Sequence, residues 1–107
     1  MATPQDDRIY FTVIMPYYVY ITTNPAKSVL YIGVTNNLTS RLAQHYENRG
    51  QPATFAGRYF CYNLVYFEVH QSSMTAIARE KELKGWTRAK KELLIDSLNP
   101  EREFLIV

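Results

Sequence analysis

Two strand-like segments joined by a turn constrain the fold of this chain more than any other feature. Tyr17 to Thr23 is a run of β-branched and aromatic residues, and Ser28 to Val34 is a second. Asn24-Pro25-Ala26-Lys27 between them reads as a turn, because proline presets φ and asparagine tolerates turn geometry. The pair predicts a β-hairpin. Each strand carries an aromatic triplet, Tyr18-Val19-Tyr20 in the first and Tyr31-Ile32-Gly33 in the second. Strand tyrosines mostly serve packing and cross-strand pairing. Phenols concentrated on one small sheet nevertheless ask whether the hydroxyls are used.

The rest of the chain supplies one more strand and three helices. Asn36 or Asn37 caps a helix running to about Asn48, which Gly50 and Pro52 end. Residues 50–60 read as a loop with two glycines, and Tyr62 to Val69 as a third strand. Ser72 or Ser73 caps a helix from Met74 to Lys84 that Gly85 stops, and Thr87 caps another that Asn99-Pro100 closes near Leu98. The order β-β-α-β-α-α predicts an α+β fold of the α/β/α sandwich type, a small antiparallel three-stranded sheet flanked by helices. Residues 1–8 are polar and read as a tail. Residues 9–15 either add a strand or lead into a domain that begins at Pro16, and residues 101–107 read as a C-terminal tail.

At 107 residues the chain has room for a single core. One cysteine, Cys61, allows neither an internal disulfide nor a Cys-His zinc framework, which fits a reducing cytoplasm. No run approaches the ~18 apolar residues of a membrane span. The apolar stretch from Tyr10 to Ile21 is broken by Thr12 and Pro16 and lacks a basic leader, so no signal peptide and no membrane partner are expected. The net charge is only +2, yet six of the twelve basic residues fall between Arg79 and Lys91, a local stripe suited to a polyanion or simply to a solvated face.

Two helices place polar groups where apolar ones are expected. On the helix after Ser73, Ala76, Leu83 and Ile77 define an apolar arc. Glu80 falls inside that arc, whereas Glu82 lies on the opposite face. An inward carboxylate must be paired, ligate a metal or open onto a cleft. An i,i+4 pair with Lys84 is the simplest partner. On the helix after Asn37, Leu38, Leu42 and Tyr46 form the apolar arc and Arg41 and His45 border it, four residues apart. They are either satisfied core residues or one side of a functional cleft. The sequence holds no Gly-rich phosphate loop, no zincin motif and no nucleophile elbow.

With these residues in view, the chain resembles the GIY-YIG nuclease superfamily, in particular its small stand-alone bacterial members, over roughly residues 16–100. Tyr18-Val19-Tyr20 stands in the place of G-I-Y, with Tyr18 where the family has glycine, and Tyr31-Ile32-Gly33 is a complete Y-I-G. Arg41 lies ten residues after Tyr31, His45 four after Arg41, and Glu80 begins Glu80-Lys81-Glu82-Leu83-Lys84-Gly85-Trp86, similar to the small-member consensus. The resemblance implies a catalytic set of Tyr20, Tyr31, Arg41, His45 and Glu80, with Glu80 holding one Mg²⁺ or Mn²⁺. Family members often carry an asparagine some residues after the glutamate. Glu92 to Ile95 offers none, which leaves Lys84 or Lys91 as replacements.

The resemblance further implies a Mg²⁺-dependent DNA endonuclease acting through one metal and a tyrosine general base, of the kind used in DNA repair or recombination. A phenol is ionised in only about one molecule per thousand at pH 7, so Tyr20 is expected to need a nearby positive charge from Arg41, His45 or the metal to lower its pKa. Lys84, Arg88, Lys90, Lys91 and Arg58 are the expected phosphate contacts. Tyr59, Phe60 and Tyr62 beside Arg58 either stack on unpaired bases or belong to the core; the first reading points to a structure-selective or single-strand-selective nuclease, with single-stranded, branched and duplex DNA as the candidate partners. Targeting would fall to a DNA structure, a short sequence or a partner protein, and cutting both strands would need two engagements or a dimer. The alternative is a nucleic-acid-binding module on the same fold that has lost catalysis.

Overall fold

The computed structural model describes residues 15–107, so the expected tail or extra strand in the preceding residues lies outside the described residues. Three strands, β1 (Tyr17–Thr23), β2 (Leu30–Thr35) and β3 (Asn63–His70), form an antiparallel sheet in the order β2-β1-β3. Among the described residues four helices accompany them: α1 (Leu38–Glu47), α2 (Phe55–Arg58), α3 (Ser73–Lys84) and α4 (Arg88–Leu98). The expected α+β class holds, with α2 as an addition.

The hairpin turn is longer than its sequence suggests. Asn24 Oδ1 accepts hydrogen bonds from the backbone N–H groups of Ser28 (2.8 Å) and Val29 (3.0 Å), and the Thr23 hydroxyl donates to the Val29 carbonyl (2.7 Å). These residues are thereby engaged by the turn, and β2 starts at Leu30 rather than Ser28.

Helix starts follow local capping chemistry. Asn37, Ser72 and Thr87 accept from the backbone N–H groups of Ser40, Thr75 and Lys90, each satisfying a donor the first turn leaves free. The one-turn helix α2, which sequence reading leaves inside a loop, is capped the same way by Thr54. It is held by close backbone approach: a Cβ on Gly57 would stand 2.6 Å from the Gln51 carbonyl oxygen and 2.8 Å from that of Asn48. Only glycine fits there.

Alternation along the strands feeds two cores. Val19, Ile21, Ile32, Val65 and Tyr66 pack under α3 and α4 against Ala76, Leu83 and Ile95. The opposite face buries Tyr20 with Leu38 and Leu64, with Tyr18, Tyr31, Leu42, Phe67 and Leu105 around them. A bulge in the β1–β3 ladder, where Ile21 faces Tyr66 and Thr22 faces Leu64, lets the neighbours Val65 and Tyr66 serve one core. Buried Asn99 closes the bulge by donating to the Val65 carbonyl (3.0 Å), and it clasps the backbone of Glu103 through both ends of its amide. Within residues 101–107 the Leu105 N–H bonds the Leu64 carbonyl at 2.8 Å, while Ile106 stands 97% exposed. The apolar arcs are narrower than the helical wheels suggest. Ile77 is 43% exposed and Tyr46 50%, since the core takes only the Ala76–Leu83 seam of α3 and the Leu38–Leu42 seam of α1.

An ion cluster sets the seat of α3 on β3. Glu68 receives hydrogen bonds from Arg79 Nε (3.1 Å) and Nη2 (3.0 Å) and from the Tyr66 hydroxyl, and it lies 2.9 Å from His70 Nε2. Burial raises the Glu68 pKa, but the donors from Arg79, Tyr66 and His70 outweigh it and hold the group below the usual carboxylate range. A depressed folded pKa means that this stabilisation is present above the unfolded value of about 4.3 and is lost as pH falls through the folded one. We expect Glu68→Gln to lower stability at neutral pH by about 2 kcal/mol and to flatten the acid limb of stability against pH, measured by urea denaturation. An unchanged acid limb would assign the stabilisation elsewhere.

Candidate active site

The pairing register brings the two triplets together. Tyr20 of β1 sits opposite Gly33 of β2, and Thr22 opposite Tyr31. The fully buried Tyr20 ring lies directly over Gly33: a Cβ there would stand 2.8 Å from Tyr20 Cε1 and closer still to Cζ and the hydroxyl oxygen. The glycine of the second triplet is therefore the floor on which the tyrosine of the first rests. Tyr18 turns to the same face and meets Phe67 edge-on at 6.2 Å.

From α1, His45 projects over the pair. Its ring lies 5.8 Å from that of Tyr20 and 5.4 Å, edge-on, from that of Tyr31, and its Nε2 is 2.8 Å from the Tyr20 hydroxyl. Burial, and then the positive charge of Arg41, lower the His45 pKa, so the imidazole is neutral at pH 7 and can accept a proton. The Tyr20 hydroxyl is pushed the other way. Burial raises its pKa well above the ordinary phenol value, Tyr31 and Glu80 add to the rise, and Arg41 only partly offsets them. Of the charges expected to lower the Tyr20 pKa, Arg41 acts in that direction but does not overcome desolvation. Burial favours the protonated phenol, and the hydroxyl can donate to His45 Nε2 in the tautomer that carries its hydrogen on Nδ1.

Glu80 comes from α3, which crosses β1 and β2. Its side chain is 16% exposed, and one carboxylate oxygen faces Lys84 Nζ at 3.4 Å, the i,i+4 pair anticipated from spacing. Its charge is felt at Tyr20. Among the described residues no group of three or more His, Cys, Asp or Glu gathers in one place. A lone carboxylate suits Mg²⁺, which keeps several waters and takes further oxygen ligands from a substrate phosphate. Glu80 is the residue available for such an ion. Lys84, one of the two lysines considered in place of the family asparagine, stands beside it; Asn99 is buried at the bulge instead.

The basic stripe divides into engaged and available groups. Arg79 is held by Glu68 and Glu82, Arg88 by Glu92 (2.8 Å) and the Ser28 carbonyl (3.0 Å), and Lys90 lies over the Trp86 ring at 4.5 Å. Lys84 and Lys91 instead line a cleft with Leu30, Tyr31, Ile32 and Phe55. Arg58 donates to the Pro52 carbonyl (3.1 Å) and borders a neighbouring hollow with Phe55 and Tyr59. Phe55 escapes sequence reading, its only local signal being a place between the Thr54 cap and Arg58 in an aromatic-rich stretch.

Comparison with known proteins agrees with this architecture. The family model of the GIY-YIG catalytic domain matches residues 16–92. A UPF0213 protein of Bacillus pumilus is 36% identical over 87 residues, covering 81% of this chain and 86% of the relative. A UPF0213 protein of Haloquadratum walsbyi is 35% identical over 80 residues, covering 75% and 86%. The solution structure of a UPF0213 protein from Bacillus halodurans superposes with a TM-score of 0.52 at 29% identity, covering 81% of this chain and 89% of that one. The matched span runs from the residue before β1 into α4 and takes in both tyrosine triplets: the chain belongs to the GIY-YIG nuclease superfamily.

Proposed function

We propose that this protein is a divalent-metal-dependent DNA endonuclease in which Tyr20 and His45 act as a proton relay. The observation that carries the reading is the 2.8 Å contact between the fully buried Tyr20 hydroxyl and His45 Nε2, with Tyr31 and Arg41 beside them, in surroundings where burial favours a protonated phenol and a neutral imidazole. A phenol so reluctant to ionise is a poor base alone but an effective conduit. As a water oxygen adds to phosphorus, its proton passes to the Tyr20 oxygen while the Tyr20 proton moves to His45 Nε2. The ester P–O bond breaks, and the departing oxygen takes a proton from solvent. Arg41 offsets charge developing on the phosphate, and Tyr31 holds the His45 ring by its edge. Glu80 would hold the single Mg²⁺ or Mn²⁺, which supplies charge stabilisation at the phosphate and the leaving oxygen. Lys84 and Lys91 contact the flanking backbone, and the exposed aromatics favour unpaired or branched strands over plain duplex.

The test is direct: labelled single-stranded, duplex and branched DNA incubated with pure protein and Mg²⁺ or Mn²⁺, then with chelator. Cleavage that chelation abolishes is expected, and Glu80→Ala should lower the single-turnover rate about a hundredfold or more. Glu80→Ala cutting at the wild-type rate would remove the carboxylate from the mechanism. Binding without cutting would assign the chain to an inactive nucleic-acid-binding module.

A further inference from the structure

The aromatic chain at the site does not end at the catalytic tyrosines. From Tyr20 it passes to Tyr31 (centroids 6.3 Å apart), then to Phe55, stacked on Tyr31 at 6.2 Å with 24° between planes, and on to Tyr59, 4.7 Å from Phe55. Exposure rises from buried Tyr20 to Phe55 at 50% and remains high at Tyr59, 42%. Adjoining large rings left in water at the mouth of a site contribute little to folding and mark an interaction surface. The cleft beside them holds about 300 Å³, at the low end for small-ligand sites, and its lining combines the rings of Tyr31 and Phe55 and the side chains of Leu30 and Ile32 with Lys84 and Lys91. Lys84 has Glu80 at 3.4 Å, whereas Lys91 has no carboxylate partner among the described residues.

We propose that this cleft seats one unpaired nucleobase of a DNA strand next to the scissile phosphate, stacked on Phe55, with Lys84 and Lys91 on the adjoining phosphates. The inference rests on the nuclease reading for the position of the scissile bond, but the recognition itself is a binding property. Chemistry selects this occupant. Aromatic rings and cations lining one cleft match a π-face joined to an anion, which is what a nucleotide presents. A base within a duplex has both faces covered by its neighbours, and the cleft is too small for a base pair with its two backbones. Because Lys84 joins the cleft to Glu80, a base held on Phe55 sets the phosphate beside it near the tyrosines. Selectivity for single-stranded or flapped DNA then follows from Phe55, a residue outside the proton relay.

The test reads binding apart from cutting. Fluorescence anisotropy of wild-type, Phe55→Ala and Phe55→Trp proteins is measured in chelator with a short labelled single strand and with the same strand in a duplex. Phe55→Ala should weaken single-strand binding about tenfold and leave duplex binding within about twofold, while Phe55→Trp keeps the single-strand affinity. Lys91→Ala should weaken binding of both forms and lower the salt slope on the single strand by about 0.7. A 2-aminopurine moved along the strand should change its emission at one position in the wild type and at none in Phe55→Ala. Equal losses on single strand and duplex, or a tryptophan that fails to restore binding, would overturn the proposal. Cleavage assays with Mg²⁺ separate it from the reading on which it rests. Phe55-dependent single-strand binding without cutting removes only the nuclease, and cutting that is indifferent to Phe55 removes only the cleft.

Discussion

Tyr20→Phe is expected to lower single-turnover cleavage about a thousandfold while leaving the fold in place. The hydroxyl loses its contacts to His45 and Arg41, both of them half-buried and able to turn to water, so the stability change should stay near 1 kcal/mol. The pH profile distinguishes a relay from a free phenolate. With His45 as the final acceptor, the rate rises on the acid side with a midpoint below the usual histidine value of about 6.5, because burial and Arg41 hold the imidazole neutral further into acid, and it is flat above. If ionised Tyr20 were the base, the rate would climb tenfold per pH unit through neutrality, because burial places its pKa far above that range. A profile of the second kind, with His45→Gln fully active, would refute the relay while keeping the nuclease.

The relay also marks the boundary of what the sequence discloses. Caps at Asn37, Ser72 and Thr87 are legible because a side chain satisfies a backbone donor three residues on, and the hairpin is legible because strand and turn preferences act locally. The positions of Arg41, His45 and Glu80 follow from helical spacing. The protonation state of Tyr20 does not, because it depends on how completely two sheet residues and α1 exclude water, a property of packing. The division of the basic stripe is hidden for the same reason. Arg79 and Lys91 read alike in sequence, and only the meeting of α3 with β3 gives Arg79 a carboxylate on another element. Helix α2 has a local cap but only four residues, and its stability comes from Gly57 closing on the backbone near Asn48 and Gln51. That contact is tertiary, and with it goes the placement of Phe55.

Gly33→Ala should destabilise the protein by about 2 kcal/mol and lower cleavage about a hundredfold, although alanine is otherwise the better strand residue. The added methyl would occupy space held by the tip of the Tyr20 ring, at Cε1, Cζ and the hydroxyl oxygen. Leu38 and Leu64 share Tyr20's buried cluster, so the ring has little room to retreat. Any retreat it makes takes the hydroxyl away from His45, and a misplacement of about 1 Å is enough for a loss of that order. Tyr20→Leu removes the three atoms the methyl would strike. In that background Gly33→Ala should be neutral or stabilise by a few tenths of a kcal/mol, giving a coupling energy of about 2 kcal/mol in a double-mutant cycle read by urea denaturation. Additive effects would mean that glycine is required at this position for some reason other than the phenol above it. Strong coupling would explain in steric terms why a tyrosine in one triplet needs a glycine in the other: the floor beneath the phenol must lack a side chain for the hydroxyl to reach the imidazole.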